Sequence, residues 1–212
     1  NLLNLNRLNK HILDLLIDNL VKFHSTAPMN ATISDYGKRQ IMRSKIRENF
    51  LTISKIGKVD GMFEKKLNLF VKNNNDLFYL RRKDHRIRDI HGDLYLKNIF
   101  YVRAKFYMYD RIEFNDSLRY ADIAEDVAHL AMDIHYHQRE DLQVYFIRNY
   151  INKSKDTNLI RIIYFMMCFK ACVRAKVSLF SSTQCSDKNQ KMEHINEAKD
   201  HLNLAKKYLT MF

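Results

Sequence analysis

Apolar residues recur at helical spacing along most of the chain. Leu5, Leu8, Ile12, Leu15, Leu16, Leu20 and Phe23 share one face of a helix predicted over residues 5–24. That helix should end near His24-Ser25, because Pro28 disfavours helical backbone just before it. A loop through Asp35-Tyr36-Gly37 comes next. Met42, Ile46, Phe50 and Ile53 predict a second amphipathic helix over 38–56, which Gly57 and Gly61 bring to a close. A third helix is expected over 62–82, with Asn73-Asn74-Asn75 as its weak point.

The period then changes. Residues 87–90 read as a short extended segment. The β-rich runs 98–102 and 106–110 flank Arg103-Ala104-Lys105 and predict a short hairpin. From Tyr120 onward the helical period returns, with helices expected near 121–135, 139–152, 157–181 and 187–210. The Ser181-Ser182-Thr183 segment is read as the connection between the last two. Ile195, Ala198, Leu202, Ala205 and Leu209 keep helical spacing in the final one. No repeat or long linker divides the chain, so residues 1–212 are expected to form one domain.

Composition agrees with a mainly α fold. Of 212 residues, 46% are hydrophobic, enough for a sizeable core, and only four glycines and one proline are present to make tight turns. The formal net charge is +12. A basic surface attracts nucleic acid, anionic membrane or phosphorylated ligands, but also serves simple solubility. The most apolar stretch, Leu159 to Phe180, is interrupted by Arg161, Lys170, Arg174 and Lys176 and reads as a buried helix rather than a membrane span. Cys168, Cys172 and Cys185 show no CxxC spacing and are expected to be free thiols in a reducing cytoplasm.

Chemistry concentrates in Ile90-His91-Gly92-Asp93-Leu94-Tyr95-Leu96-Lys97-Asn98. An Asp and an Asn stand five residues apart in a loop leading into the predicted hairpin, whose second strand should end on Asp110. Phosphoryl transfer needs such a set. One carboxylate orients the attacking hydroxyl and takes its proton, while an amide oxygen and a second carboxylate hold Mg²⁺ on nucleotide phosphates. Mg²⁺ prefers hard oxygen ligands and needs few from protein. Asp93 is thus the candidate base, and Asn98 and Asp110 are the candidate ligands of Mg²⁺ and, through it, of ATP. His91 is a second candidate for the catalytic loop, with bracing of the backbone as its simpler role.

His91-Gly92-Asp93-Leu94 with Asn98 resembles the catalytic loop of aminoglycoside phosphotransferases and choline kinases, relatives of the protein kinases. Asp110 matches the metal-binding Asp that follows the hairpin in that family. The stretch from Tyr109 to Asp116, followed by Arg119-Tyr120-Ala121-Asp122-Ile123-Ala124-Glu125-Asp126-Val127-Ala128, resembles a bacterial subgroup in which such a domain is often fused to a P-loop ATP-binding domain. The resemblance runs loosely from Phe23-His24 to Lys176. It implies a protein-kinase-like large lobe, an ATP-dependent transfer to a small-molecule hydroxyl, and supporting roles for Asp122 and Asp126, the latter as a buried carboxylate bonded to the loop backbone. Two features depart from the family. Tyr95 stands where a His is usual, and neither GxGxxG nor GxxxxGK[ST] occurs. With no initiator Met before Asn1-Leu2, the chain reads as a piece of a longer protein, with the small nucleotide-binding lobe and the P-loop domain outside it.

Other readings stay open at this level. A catalytically silent kinase-like module could bind RNA or a protein partner. The run Arg81-Arg82-Lys83-Asp84-His85-Arg86-Ile87-Arg88, with Phe78 and Tyr79 for stacking, could contact nucleic acid or an acidic substrate, although a solvated charged turn is favoured. Glu113 and Asp116 could contact a polyhydroxyl or cationic substrate. His129, His135 and His137 do not complete a zinc set.

Overall fold

The computed structural model describes residues 8–57 and 59–212; Leu5, placed above in the first helix, lies outside them. Among the described residues ten α-helices and four short strands follow one another. Helix α1 (Lys10–Thr26) begins where the Asn9 side chain accepts the Ile12 N–H (3.0 Å) and buries Leu13, Leu16, Ile17 and Leu20. After α2 (Ala31–Asp35) comes α3 (Arg39–Ile56), which buries Met42, Ile46, Phe50 and Ile53 as their spacing predicts, and also Asn49. The helix expected over 62–82 is in fact two, α4 (Met62–Asn73) and α5 (Asn75–Lys83). The break falls at Asn74, whose amide Nδ2 donates to the Phe70 carbonyl (3.0 Å), so a short polar side chain competes with the helical ladder.

Strand β1 (Ile87–Asp89) precedes the loop that carries the candidate chemistry. A 3-10 turn at Leu96–Asn98 leads into β2 (Ile99–Val102), which pairs antiparallel with β3 (Lys105–Met108) in the register Ile99↔Met108 to Val102↔Lys105. The second hairpin strand therefore stops two residues short of Asp110. After α6 (Asp116–Arg119), residues 120–122 do not start a helix as expected. They form β4 (Tyr120–Asp122), antiparallel to β1 with Ile87 opposite Asp122. The helix starts two residues after the strand ends, where Asp122 Oδ1 accepts the Ala124 N–H (2.9 Å) and the extended run gives way.

Helix α7 (Ala124–Tyr136) is the centre of the molecule; every residue from Ala124 to Ile134 is buried. It packs on α8 (Glu140–Ser154) and α9 (Ile163–Gln184), and α9 pairs with α10 (Lys188–Tyr208). Residues 157–161 form a 3-10 turn ahead of α9 rather than its first turn. Helix α9 continues through Ser181-Ser182-Thr183 to Gln184, where Ser182 and Thr183 hydroxyls donate back to the carbonyls of Leu179 and Phe180. That local bonding keeps hydroxyl residues in a helix that composition alone would end. Among the described residues no helix is long and apolar enough to cross a membrane.

The basic run at 81–88 is mostly structural. Arg81 is only 1% exposed. Its guanidinium grips Asp122 in bidentate fashion, Nε to Oδ2 at 2.8 Å and Nη2 to Oδ1 at 2.6 Å, and its Nη1 reaches Asp156. Arg82 donates to the Ser34 carbonyl and Asp35, and Arg88 to the carbonyls of Ser25, Ala27 and His85. Phe78 is buried edge-on against Phe165, so it is not free to stack on a base. A solvated turn describes neither Arg81 nor Phe78, because a guanidinium with two carboxylate partners can be buried where a lone one cannot.

Candidate active site

The loop between β1 and β2 is held from behind by one helix. Asp126 is fully buried, and its carboxylate accepts two successive backbone donors, His91 N–H at Oδ2 (2.8 Å) and Gly92 N–H at Oδ1 (2.9 Å). His24 Nε2 lies 3.3 Å from Oδ2, and its Nδ1 lies 2.7 Å from the Tyr150 hydroxyl. Burial alone would push the Asp126 pKa up. The His24 hydrogen bond and charge, with the His91 charge and backbone donor, outweigh it and hold the carboxyl below its ordinary value. Seven residues on, Asp133 Oδ2 accepts the Leu96 N–H (2.8 Å). Positions 126, 129 and 133 fall on one face of α7, so a single helix side carries the loop's supports.

Gly92 is required where it stands. Its φ of +85° is a left-handed conformation, and a Cβ added there would lie 2.9 Å from the Leu118 carbonyl oxygen. The next residue, Asp93, is thereby turned out of the backbone toward a cavity of about 430 Å³. Asp93 is about a third exposed, and His129 Nδ1 lies 3.7 Å from its Oδ1. Desolvation raises the Asp93 pKa, and the Asp110 charge raises it further, against the opposing charges of Lys170, Arg174 and His91. A carboxylate whose proton affinity is lifted this way is suited to accept a proton.

Asn98 and Asp110 are brought to the same loop. The buried Asn98 amide Nδ2 donates to the Asp93 carbonyl (3.1 Å), which leaves its Oδ1 available as a ligand. Asp110 is bracketed by three bonds to the loop. Tyr109 N–H donates to the Asn98 carbonyl (2.9 Å), His91 Nε2 donates to the Tyr109 carbonyl (2.8 Å), and Ile112 N–H donates to the His91 carbonyl (3.1 Å). His91 is 1% exposed, and its ring ties the loop to the segment that carries Asp110. It therefore braces and does not face the cavity. Asp110 itself sits at φ 59°, a left-handed conformation that Asp tolerates better than most residues. Its side chain is exposed.

Beyond Asp93 the cavity runs between α3 and α9. Glu125 is buried between two ammonium groups, Lys45 at Oε1 (2.7 Å) and Lys170 at Oε2 (3.1 Å). Burial pushes its pKa up, and the two lysines overcome that and hold it below the ordinary value. Lys170 Nζ also donates to the Gly92 carbonyl (3.4 Å). Arg174 lies over the Tyr95 ring (4.7 Å), and Tyr95 stacks on His129 at 5.5 Å and 14°. Tyr95 thus occupies the position of the expected His by forming a layer that carries an arginine.

Sequence reasoning missed Asp133, Glu125, Lys170, Arg174 and Asn49. Their signal was polar residues at helical spacing on an otherwise apolar face, as in Lys170 and Arg174 within Leu159–Phe180. Glu113 and Asp116 are not among the residues that line the cavity, and Asp116 pairs with Arg119. Among the described residues no group of three or more His, Cys, Asp or Glu could hold a metal ion; Asn98 and Asp110 remain a candidate pair of oxygen donors. Two hard oxygen donors suit a Mg²⁺ ion that takes its remaining ligands from phosphate and water.

No family model matches the chain. Uncharacterised proteins of Mycobacterium tuberculosis and Mycobacterium bovis are 34% identical to it over 178 residues, covering 81% of this chain. The chain spans 36% of the length of these relatives. Among solved structures, an ethanolamine kinase of Plasmodium vivax superposes with a TM-score of 0.56 at 17% identity, covering 93% of this chain and 59% of that one. At that identity the likeness is one of fold. The chain is a mainly α, kinase-like lobe with two small antiparallel sheets.

Proposed function

We propose that this lobe is the acceptor-side half of an ATP-dependent phosphotransferase acting on a hydroxyl of a small molecule. The observation that carries the reading is the double grip of Asp126 on the His91 and Gly92 N–H groups. It spends a buried carboxylate on presenting Asp93 to a cavity of small-molecule size. Such preorganisation is what positioning catalysis requires. Asp93 would take the proton as the hydroxyl oxygen bonds to the γ-phosphorus and the β–γ bridging bond breaks, ADP leaving with the electron pair. Asn98 and Asp110 would hold Mg²⁺, which neutralises charge on the phosphates when bound. The exposed apolar face of the hairpin, with Tyr107 and Val102, offers a seat for the nucleotide base.

Two substitutions in the intact protein test the reading. Asp93→Asn should lower kcat by about 10²–10⁴ and leave Mg²⁺–ATP affinity nearly unchanged, because general-base catalysis is worth that much. Asp110→Asn should instead weaken Mg²⁺–ATP binding, since a ligand charge is lost. Wild-type turnover in Asp93→Asn would refute the mechanism. ATP-independent binding of RNA or protein by a lobe that transfers no phosphate would favour a silent module.

A further inference from the structure

The cavity in front of Asp93 is walled by cations. Lys45, Lys170, Arg174 and Lys176 line it, against the carboxylates Glu48, Asp93 and Glu125. Two of the acidic groups are already committed, and the third, Glu48, is solvent-exposed. Glu125 is saturated by Lys45 and Lys170, Asp93 is kept for the hydroxyl, and Glu48 is exposed on the solvent side of α3. The cations are less satisfied. Arg174 has a single carboxylate partner, Glu197, at 3.6 Å, and Lys176 has none within 4.0 Å among the described residues. Desolvation and the Lys170 charge act against the Lys176 proton and outweigh the Glu48 charge that favours it, so the ammonium is only partly compensated.

A second observation points to a ligand. Asn49 is only 2% exposed and lines the same cavity, yet neither its Oδ1 nor its Nδ2 has a hydrogen-bond partner. An unpartnered buried amide is costly, so one lining a cavity marks a place where a polar ligand completes the bonding. A primary amide offers a donor to an oxyanion and an acceptor to a neighbouring hydroxyl. His129 presents two further unpartnered ring nitrogens beside Asp93.

We propose that the acceptor is a small hydroxylated oxyanion, a carboxylate or phosphate ester of a polyol. Its charged group sits between Lys176 of α9 and Asn49 of α3, and its free hydroxyl lies at Asp93. The proposal rests on the phosphotransferase reading of this cavity. An ammonium-bearing acceptor is disfavoured there, because it would meet four lining cations against one unpaired carboxylate beyond Asp93, the solvent-exposed Glu48.

A matched set of probes tests it: D-gluconate, D-glucitol phosphate, uncharged D-glucitol and cationic D-glucosamine. Affinity is measured by calorimetry on the full chain, and phosphoryl transfer from γ-labelled ATP on the intact protein. At least one of the two anions should bind about tenfold or more tighter than D-glucitol, the scale of one charge-assisted contact, and D-glucosamine should bind worst. Preference for the carboxylate over the phosphate, or the reverse, identifies the oxyanion. Lys176→Gln should erase the preference, and Lys176→Glu should turn it toward D-glucosamine, a reversal that loss of folding cannot imitate. Tighter binding of D-glucosamine than of both anions overturns the proposal, as does binding of none of the four. Lys176-dependent anion binding without phosphoryl transfer would support the oxyanion seat and sink the phosphotransferase reading. Transfer to D-glucosamine alone would do the opposite.

Discussion

The loop of residues 90–98 and the hairpin of residues 99–108 are consecutive in the chain and are stabilised in opposite ways. The loop meets neighbouring backbone near its ends, Ile90 at Arg119, His91 at Ile112 and Asn98 at Tyr109. Three donors between those ends are claimed by side chains of α7, Asp126 for His91 and Gly92 and Asp133 for Leu96. The hairpin is held by its own ladder, turns through Arg103 and Ala104 at φ 49° and 59°, and leaves Val102 and Tyr107 largely exposed. One region is bought with buried carboxylates far away in sequence; the other is local. The lesson is that the geometry around Asp93 is a property of the core, whereas the exposed face of the hairpin is a property of a short ribbon.

Breaking the core support should have the larger effect. Asp126→Ala leaves two buried backbone donors unsatisfied and should cost about 1–3 kcal/mol for each that water cannot reach. Thermal unfolding should show that loss. Hydrogen exchange at His91 and Gly92 should accelerate while the hairpin amides keep their protection. Equal acceleration in both regions would mean that the two are not independent.

Acid should separate the regions next. His129 is held well below its ordinary pKa of 6.5, first by burial and then by the charges of Lys170 and Arg174. His135 and His201 are shifted the same way, burial leading in each. A histidine whose folded pKa is depressed binds its proton more readily unfolded, so stability is full above about pH 6.5 and declines as pH falls below it. Asp126 and Glu125 are depressed carboxylates, whose contribution is lost only as pH falls through their lowered folded values, below about 4. The unfolding midpoint should therefore begin to drop between about pH 6.5 and 5, and His129→Gln should flatten that slope. Residues 99–108 contain no His, Asp or Glu, so the ladder amides should not respond locally. A midpoint constant from pH 7 to 5 would contradict the assignment.

The smallest effect belongs to the hairpin turn. Left-handed backbone costs a residue with a Cβ roughly 1–2 kcal/mol, and glycine avoids it. Ala104→Gly should raise stability by less than about 1 kcal/mol, part of the relief being offset by unfolded-chain entropy. Turnover should not change.

Much of this architecture is legible in the residues. The apolar faces of α3, α7 and α9 follow the helical period, and the β-rich runs on either side of Arg103-Ala104-Lys105 announce the hairpin. The loop from His91 to Asn98 stands out because His, Gly, Asp and Asn crowd a segment with no helical period. What stayed hidden depends on contacts distant in sequence. Residues 120–122 look helical until their pairing with β1 is known, and Arg81 looks like a surface charge until Asp122 and Asp156 are seen beside it. The cationic cavity is of the same kind. Lys45 and Lys170 are 125 positions apart, and only folding sets both on Glu125.

The spacing of the two carboxylates on α7 has a consequence for how such a chain can diversify. Asp126 and Asp133 lie seven residues apart, nearly two turns, and so reach the loop from the same side. The helix between them works as a gauge block whose length is fixed by the object it clamps. Side chains along that segment can be exchanged while the gauge is kept. One residue added or removed would swing Asp133 by about 100° around the axis and withdraw it from Leu96. Variation should therefore enter this stretch by replacement, and changes of length should gather in the connections on either side of the helix.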